Sequence, residues 1–342
     1  MINKRKLGAS AVEVSEVGFG AWVLGLDWWG KVDAAEAARL VSAALDAGIT
    51  FFDTADTYGA GLGEQRLGEA LAAHKGRVEV GTKFGYDITV PHDSSNHSER
   101  PTRWDPPFIR ERCEASLQRL RIDAIDLYEL HNPRMEQVRD DDIFAVLEDL
   151  RAEGKIRAYG VALGPAIGWQ DEGVWAIENR NVDAVQTVFN MLEQQPGNSF
   201  LEAATCDPAA GVAPGIIARV PHASDALTGT YTADTVFPAT DHRSFRKREW
   251  LLRALKKVDR LGFLLDSRTV GQAAIAWLLA NPGVTTVLPT MTTVEQIAEW
   301  SAAASNPLTP EEFEQIQELH RRDFDLPPPS ADEQIALRAS AG

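Results

Sequence analysis

Apolar positions along this chain follow two alternating rhythms. Short runs rich in β-branched and aromatic residues recur at VGFGAW (17–22), ITFFDTA (49–55), VEVGTK (78–83) and IDLYELH (125–131), and again at IRAYGVAL (156–163), AVQTVFN (184–190), GIIARVP (215–221) and VTTVLPT (284–290). They are bounded by turn formers and predict strands. The longer segments between them repeat apolar residues at helical spacing. In DAAEAARLVSAALDAG, Asp33 and Glu36 form a predicted capping-box pair, Ala37, Leu40, Val41, Ala44 and Leu45 share a face, and Gly48 ends the helix. Asp105 is placed to cap a second helix, with Pro106 and Pro107 in its first turn and Ile109, Cys113, Leu117 and Leu120 as its buried stripe. TVGQAAIAWLLANPG is a third, stopped by Asn281, Pro282 and Gly283.

Eight strands that each lead into a helix leave apolar edges unless the sheet closes on itself. The predicted fold is therefore an α/β (β/α)8 TIM barrel, with extra helices and a small N-terminal β-hairpin around Gly8 that lies over the lower mouth. Residues 1–342 are expected to form one barrel domain, with the proline-containing tail 323–342 mobile or lying over a barrel face. Two long loops, 84–104 and 222–243, leave the carboxyl ends of strands, where barrel enzymes place their chemistry.

Composition narrows the function classes. Apolar residues at 44% and charged residues at 25% suit an enzyme with a large core. A net charge of -16 repels phosphate backbones, so neither nucleic acid nor an anionic membrane is an expected partner. The two cysteines, Cys113 and Cys206, lie far apart in helical patterns, and the start MINKRKLGAS has no apolar signal core. A cytoplasmic location is the expectation.

Alternate strand residues point into a barrel, and on that parity Asp53, Lys83 and His131 share the lumen at the ends of the second, third and fourth strands. Tyr58 lies five residues beyond Asp53, within reach of the same mouth. The glycines of GAGLGE (59–64) suggest a phosphate loop, but neither this stretch nor GFGAWV satisfies G-x-G-x-x-G. Their expected use is positive backbone dihedrals that carry Tyr58 over the mouth. His92 and His97 lack metal-ligand context, and no catalytic metal is expected.

The motifs FDTADTYG (52–59), GTKFG (81–85), LYELHNP (127–133), VQTVFN (185–190), LTGTY (227–231) and VEQIAE (294–299) make the chain resemble the aldo-keto reductase superfamily over most of its length. The resemblance implies a catalytic tetrad of Asp53, Tyr58, Lys83 and His131. Tyr58 would protonate the oxygen of a carbonyl being reduced, and Lys83 would lower its phenol toward neutrality. Asp53 would hold Lys83, and a neutral His131 would orient the carbonyl.

The resemblance also implies NADPH, with NADH possible, held by Gln186, Arg219, Leu227, Gly229, Arg243, Gln296 and Glu299. Departures from the family pattern occur at Ala162 and Leu163, where Ser-Asn is common, and at Thr230, a lysine position. The loop TMTTVEQ lacks the basic residue that usually grips the 2'-phosphate. DHRSFRKR (241–248) offers a replacement phosphate clasp led by Arg243, or else a solvated helix start.

Trp22, Trp28, Trp29 and Trp104 are candidate walls of a pocket for an apolar or ring-shaped carbonyl compound, a sugar included; the alternative is packing under loops. The leading function is reduction of an aldehyde or ketone to an alcohol by an NADP(H)-dependent oxidoreductase. An NAD-linked sugar or polyol dehydrogenase and a slow-turnover, nucleotide-binding regulatory subunit are the alternatives.

Overall fold

A computed structural model describes residues 2–28, 30–74, 78–92, 99–164, 169–205, 212–238 and 241–329. Trp29, His97, Cys206 and residues 330–342 lie outside the described residues.

The chain opens with an antiparallel hairpin, β1 (Lys4–Lys6) against β2 (Glu13–Ser15). Eight parallel strands follow in sequence order: β3 (Phe19–Gly20), β4 (Phe51–Asp53), β5 (Glu79–Phe84), β6 (Ile125–His131), β7 (Ile156–Ala162), β8 (Ala184–Val188), β9 (Gly215–Arg219) and β10 (Val284–Leu288). The barrel closes where Val17 pairs in parallel with Val287, with Gly18 N–H donating to the Val287 carbonyl at 2.9 Å. All eight strands predicted from the apolar runs are present, and the fold is a (β/α)8 barrel. Parallel strands covered on both faces explain why those runs are nearly continuously apolar.

Helices interleave with the strands: α1 (Ala34–Asp46), α2 (Leu62–Ala70), α3 (Pro106–Leu120), α4 (Met135–Arg139), α5 (Asp141–Ala152), α6 (Gln170–Asn179) and α7 (Gly197–Thr205). After β9 come α8 (Arg248–Asp259) and α9 (Val270–Leu279), and after β10 come α10 (Val294–Ala302) and α11 (Pro310–Arg321). Asp105 caps α3 as predicted, accepting from Phe108 N–H, and the stripe Ile109, Cys113, Leu117, Leu120 is buried. On α1 only half of the predicted capping box forms. Asp33 accepts from Glu36 N–H at 2.8 Å, but the Glu36 carboxylate turns to Arg39 at 2.7 Å instead of back to the chain start. Among the described residues both halves of such a box do occur at Thr269 with Gln272 and at Thr309 with Glu312.

The hairpin covers the amino-terminal end of the barrel. Leu7 and Val14 are fully buried, and Ser15 Oγ accepts from Thr50 and Phe51 N–H at the start of β4. Arg5 fastens it by donating to the Leu279 carbonyl at the end of α9, at 2.8 Å, and to the Val284 carbonyl at the start of β10, at 2.6 Å. With the lower mouth plugged, the upper mouth is left for chemistry. The chain beyond α11 is packed at its start: Phe324 is fully buried, and Asp323 pairs with Arg253 and Lys257 of α8. Residues 323–325, at the start of the tail expected to be mobile or to lie over a barrel face, form a helical turn packed against α8.

Candidate active site

β4, β5, β6 and β8 deliver polar side chains into the top of the lumen because their inward positions fall on Asp53, Lys83, Glu129 with His131, and Gln186. Neighbouring strands set these residues in register, Gly20 beside Asp53, Asp53 beside Gly81 and Lys83 beside Glu129. Lys83 Nζ donates to Asp53 Oδ2 at 2.7 Å and to the Thr54 carbonyl at 2.7 Å. Neither side chain of that ion pair is more than 1% exposed. Burial by itself would lower the Lys83 ammonium, but Asp53, with Tyr58 and Glu129, holds it above its ordinary range. Lys83 is a cation.

Tyr58 reaches the same place from the turn after β4. Its ring centroid lies 5.4 Å from Lys83 Nζ, and its edge meets the His131 ring at 6.1 Å. The turn depends on glycine. Gly59 has φ of 61°, and a Cβ there would come within 2.5 Å of the Gly25 carbonyl, so the loops after β3 and β4 interlock beside Tyr58. Gly61, with φ of 95°, then caps α2.

The expected lowering of the Tyr58 phenol by Lys83 is reversed in the net. Burial pushes the phenol above its ordinary value, with Lys83 pulling the other way. Asp53, 2.7 Å from the ammonium, adds to burial against that pull. His131 is pressed well below its ordinary value by burial, then by the charges of Lys83 and Arg219, so its imidazole is neutral. Its Nδ1 is buried without a partner, hydrogen-bonding capacity that the protein does not use.

The other site candidates separate into groups. Gln186 is in the lumen, where its Nε2 donates to Asp53 Oδ1 at 3.0 Å and to Glu129 Oε2 at 3.2 Å. Arg219 ends β9 at the same mouth, donating to the Leu163 carbonyl at 2.8 Å. Leu227 is buried in a single helical turn, Ala226–Thr228, that Gly229 closes with φ of 79°. Gln296 accepts from both the N–H and the hydroxyl of Thr292, and Glu299 from the Thr269 hydroxyl at 2.7 Å.

Arg243 is held on two sides. It donates to Asp241 through two nitrogens, at 2.9 and 2.6 Å, and also to the Asp225 carboxylate and to Tyr231 Oη. The hydrogen bonds to Asp241 come first among the causes that raise its pKa. Arg243, the leading residue of the candidate clasp, is already paired with two acids.

Among the tryptophans, Trp22 is buried beside the end of β3 with its indole N–H unpartnered. Trp104 meets the Phe84 ring at 5.9 Å and lies so close over Gly85 that a Cβ there would fall within 2.2 Å of the indole. Trp28 is half-exposed at 52%, while Trp29 is among the residues not described.

Several mouth residues escaped the sequence reading. Tyr86 Oη donates to Glu99 and accepts from Asn132 Nδ2, both at 2.8 Å, and its ring meets His131 at 5.1 Å. Arg134 lies 3.8 Å from the centre of the Trp169 ring. Glu129 was detectable in principle, since LYELH puts Leu127, Glu129 and His131 on one parity and an acid between two lumen positions is anomalous. No group of three or more His, Cys, Asp or Glu side chains suited to a metal ion occurs among the described residues, nor does a helix long and apolar enough to cross a membrane.

The aldo/keto reductase family model matches residues 16–321, and the chain belongs to that family. It is an NAD(P)H-dependent oxidoreductase of that class. The structure superposes on the glycerol dehydrogenase of Gluconobacter oxydans with a TM-score of 0.79 at 26% identity, covering 96% of this chain and 98% of that one. In sequence it is 30% identical over 323 residues to the NADH-specific methylglyoxal reductase of Escherichia coli (88% of this chain, 93% of the relative). It is also 29% identical over 333 residues to a probable voltage-gated potassium channel subunit beta of Oryza sativa (92% and 95%).

Proposed function

We propose that this chain reduces small, hydroxylated aldehydes or ketones to alcohols, reversibly, with Tyr58 as the proton donor. The observation that carries the reading is the convergence at one mouth of the Tyr58 phenol, the Lys83–Asp53 pair and the neutral His131. A nicotinamide nucleotide, when bound, supplies or takes up the hydride. The unpartnered His131 nitrogen and the adjacent Gln186 and Arg219 fit a flat, polar ring at that mouth.

The residues divide the work. Tyr58 gives its proton to the carbonyl oxygen as negative charge develops there. Lys83 steadies the resulting phenolate, and Asp53 fixes Lys83 in place. His131, uncharged, holds the carbonyl by a single hydrogen bond without competing as a proton source. The polar run of Asn132, Tyr86 and Glu99 beside it, with Trp104 and Trp169 nearby, suits a substrate that carries hydroxyl groups near its carbonyl.

For the nucleotide, the neutralised Arg243 supports NADH over NADPH. If the adenosine ribose lies at this loop, a 2'-phosphate would face Asp225 and Asp241, whereas a ribose diol could donate to them. The intact tetrad supports catalysis over a purely regulatory role. Tryptophan fluorescence titration with NADH and NADPH, followed by turnover on glyceraldehyde, methylglyoxal and a simple apolar ketone, tests the proposal. Binding without turnover on any carbonyl would overturn it.

A further inference from the structure

Glu129 is the buried acid for which the tetrad has no use. It points into the lumen from the middle of β6, in register with Lys83 on β5, and is fully buried. One oxygen, Oε2, accepts from Gln186 Nε2, the same nitrogen that holds Asp53; the other, Oε1, has no partner. The charged and titratable groups around it are Asp53 on β4 and Tyr58 in the turn beyond, Lys83 on β5, His131 on its own strand and Arg219 on β9, with the Gln186 amide on β8.

Charge balance gives this placement a consequence. With Glu129 neutral, two cations, Lys83 and Arg219, face the single carboxylate of Asp53, and the lumen carries one net positive charge. Ionising Glu129 cancels that charge. A net positive lumen favours the Tyr58 phenolate, and a neutral one favours the phenol.

We propose that Glu129 is a positioning residue for the proton-transfer end of the site: clamped to Asp53 through Gln186, it sets by its own charge how strongly Lys83 acts on Tyr58. Burial pushes the Glu129 carboxyl up to about 8, against the pull of Lys83, so the switch falls in a pH range where both directions of the reaction can be measured. Tyr58 keeps its proton on both sides of that range, and ionisation of Glu129 raises the phenol further, so the donor needed for carbonyl reduction is held more firmly once Glu129 is charged. The catalytic consequence rests on the carbonyl reductase reading; the electrostatic coupling does not.

The test uses the full chain as wild type, Glu129→Gln, Tyr58→Phe and the double variant. Ultraviolet difference titration, subtracting each Tyr58→Phe counterpart, reports ionisation of Tyr58 alone and needs no turnover. Glu129→Gln keeps the lumen net positive, and the Tyr58 midpoint should move acidward by about one pH unit. The Tyr58 limb in the pH profile of kcat/KM should move with it, in both directions of the reaction. A structural role alone would lower rates without moving either midpoint, and an unchanged or alkaline-shifted midpoint overturns the proposal.

Infrared spectra of wild-type protein labelled with 13C-glutamate give a second readout that does not depend on the variant folding. They should show a protonated buried carboxyl at about pH 6 that is lost by about pH 10, and its absence at about pH 6 also overturns the proposal. A shifted Tyr58 midpoint in a protein that reduces no carbonyl would leave the coupling standing and remove the function.

Discussion

Lys83 donates to Asp53 at 2.7 Å inside a lumen where neither side chain meets solvent. Removing one partner strands the other charge without water to solvate it. Asp53→Asn and Lys83→Met are each expected to cost about 3–5 kcal/mol in chemical denaturation, and the double variant less than the sum of the two. Additive losses below about 1 kcal/mol apiece would show that the pair is not electrostatically isolated.

The second expectation concerns the nucleotide. Asp225 adopts a left-handed backbone (φ 69°) that asparagine tolerates, so Asp225→Asn removes a charge beside Arg243 without refolding the turn. It should raise kcat/KM for NADPH relative to NADH by about tenfold, the effect of roughly 1.4 kcal/mol of relieved repulsion. An unchanged ratio would place the 2'-phosphate elsewhere.

His131 provides a pH signature. Its folded value is depressed by burial first and then by Lys83 and Arg219, so it stays neutral where an unfolded histidine takes up a proton. The stability this contributes is fully present above about pH 6.5 and is lost as pH falls, at about 1.4 kcal/mol per unit until the folded value is reached. His131→Gln should therefore narrow its stability gap to wild type, or pass it, as the solution is acidified from about pH 7 to about pH 5. A gap constant with pH would mean that folding does not shift the imidazole, and a widening gap would mean that it is charged in the fold.

The barrel was legible because each strand buries both faces and so reads as an unbroken apolar run, from ITFFDTA to VTTVLPT. Asp53, Lys83 and His131 were legible for the opposite reason, as polar residues at the ends of such runs with a shared parity. Less was readable where partners are distant in sequence. Nothing in DHRSFRKR announces that Asp225, eighteen residues upstream, and Asp241 occupy Arg243. Phe324 lies in a polar stretch with no period, and its burial depends on Arg253 and Lys257 holding Asp323 from another helix. The direction of the Tyr58 shift depends likewise on the folded surroundings: burial comes first and outweighs the lowering by Lys83, with Asp53 also opposing Lys83.

The central claim is that Tyr58 supplies the proton, and Tyr58→Phe tests it most directly. The variant keeps the ring packed against His131 and loses only the hydroxyl. Steady-state carbonyl reduction should fall by about a hundredfold or more, while the dissociation constant for NADH or NADPH, followed by tryptophan fluorescence, stays within about a factor of two. Turnover close to wild type with the nucleotide bound would contradict the account.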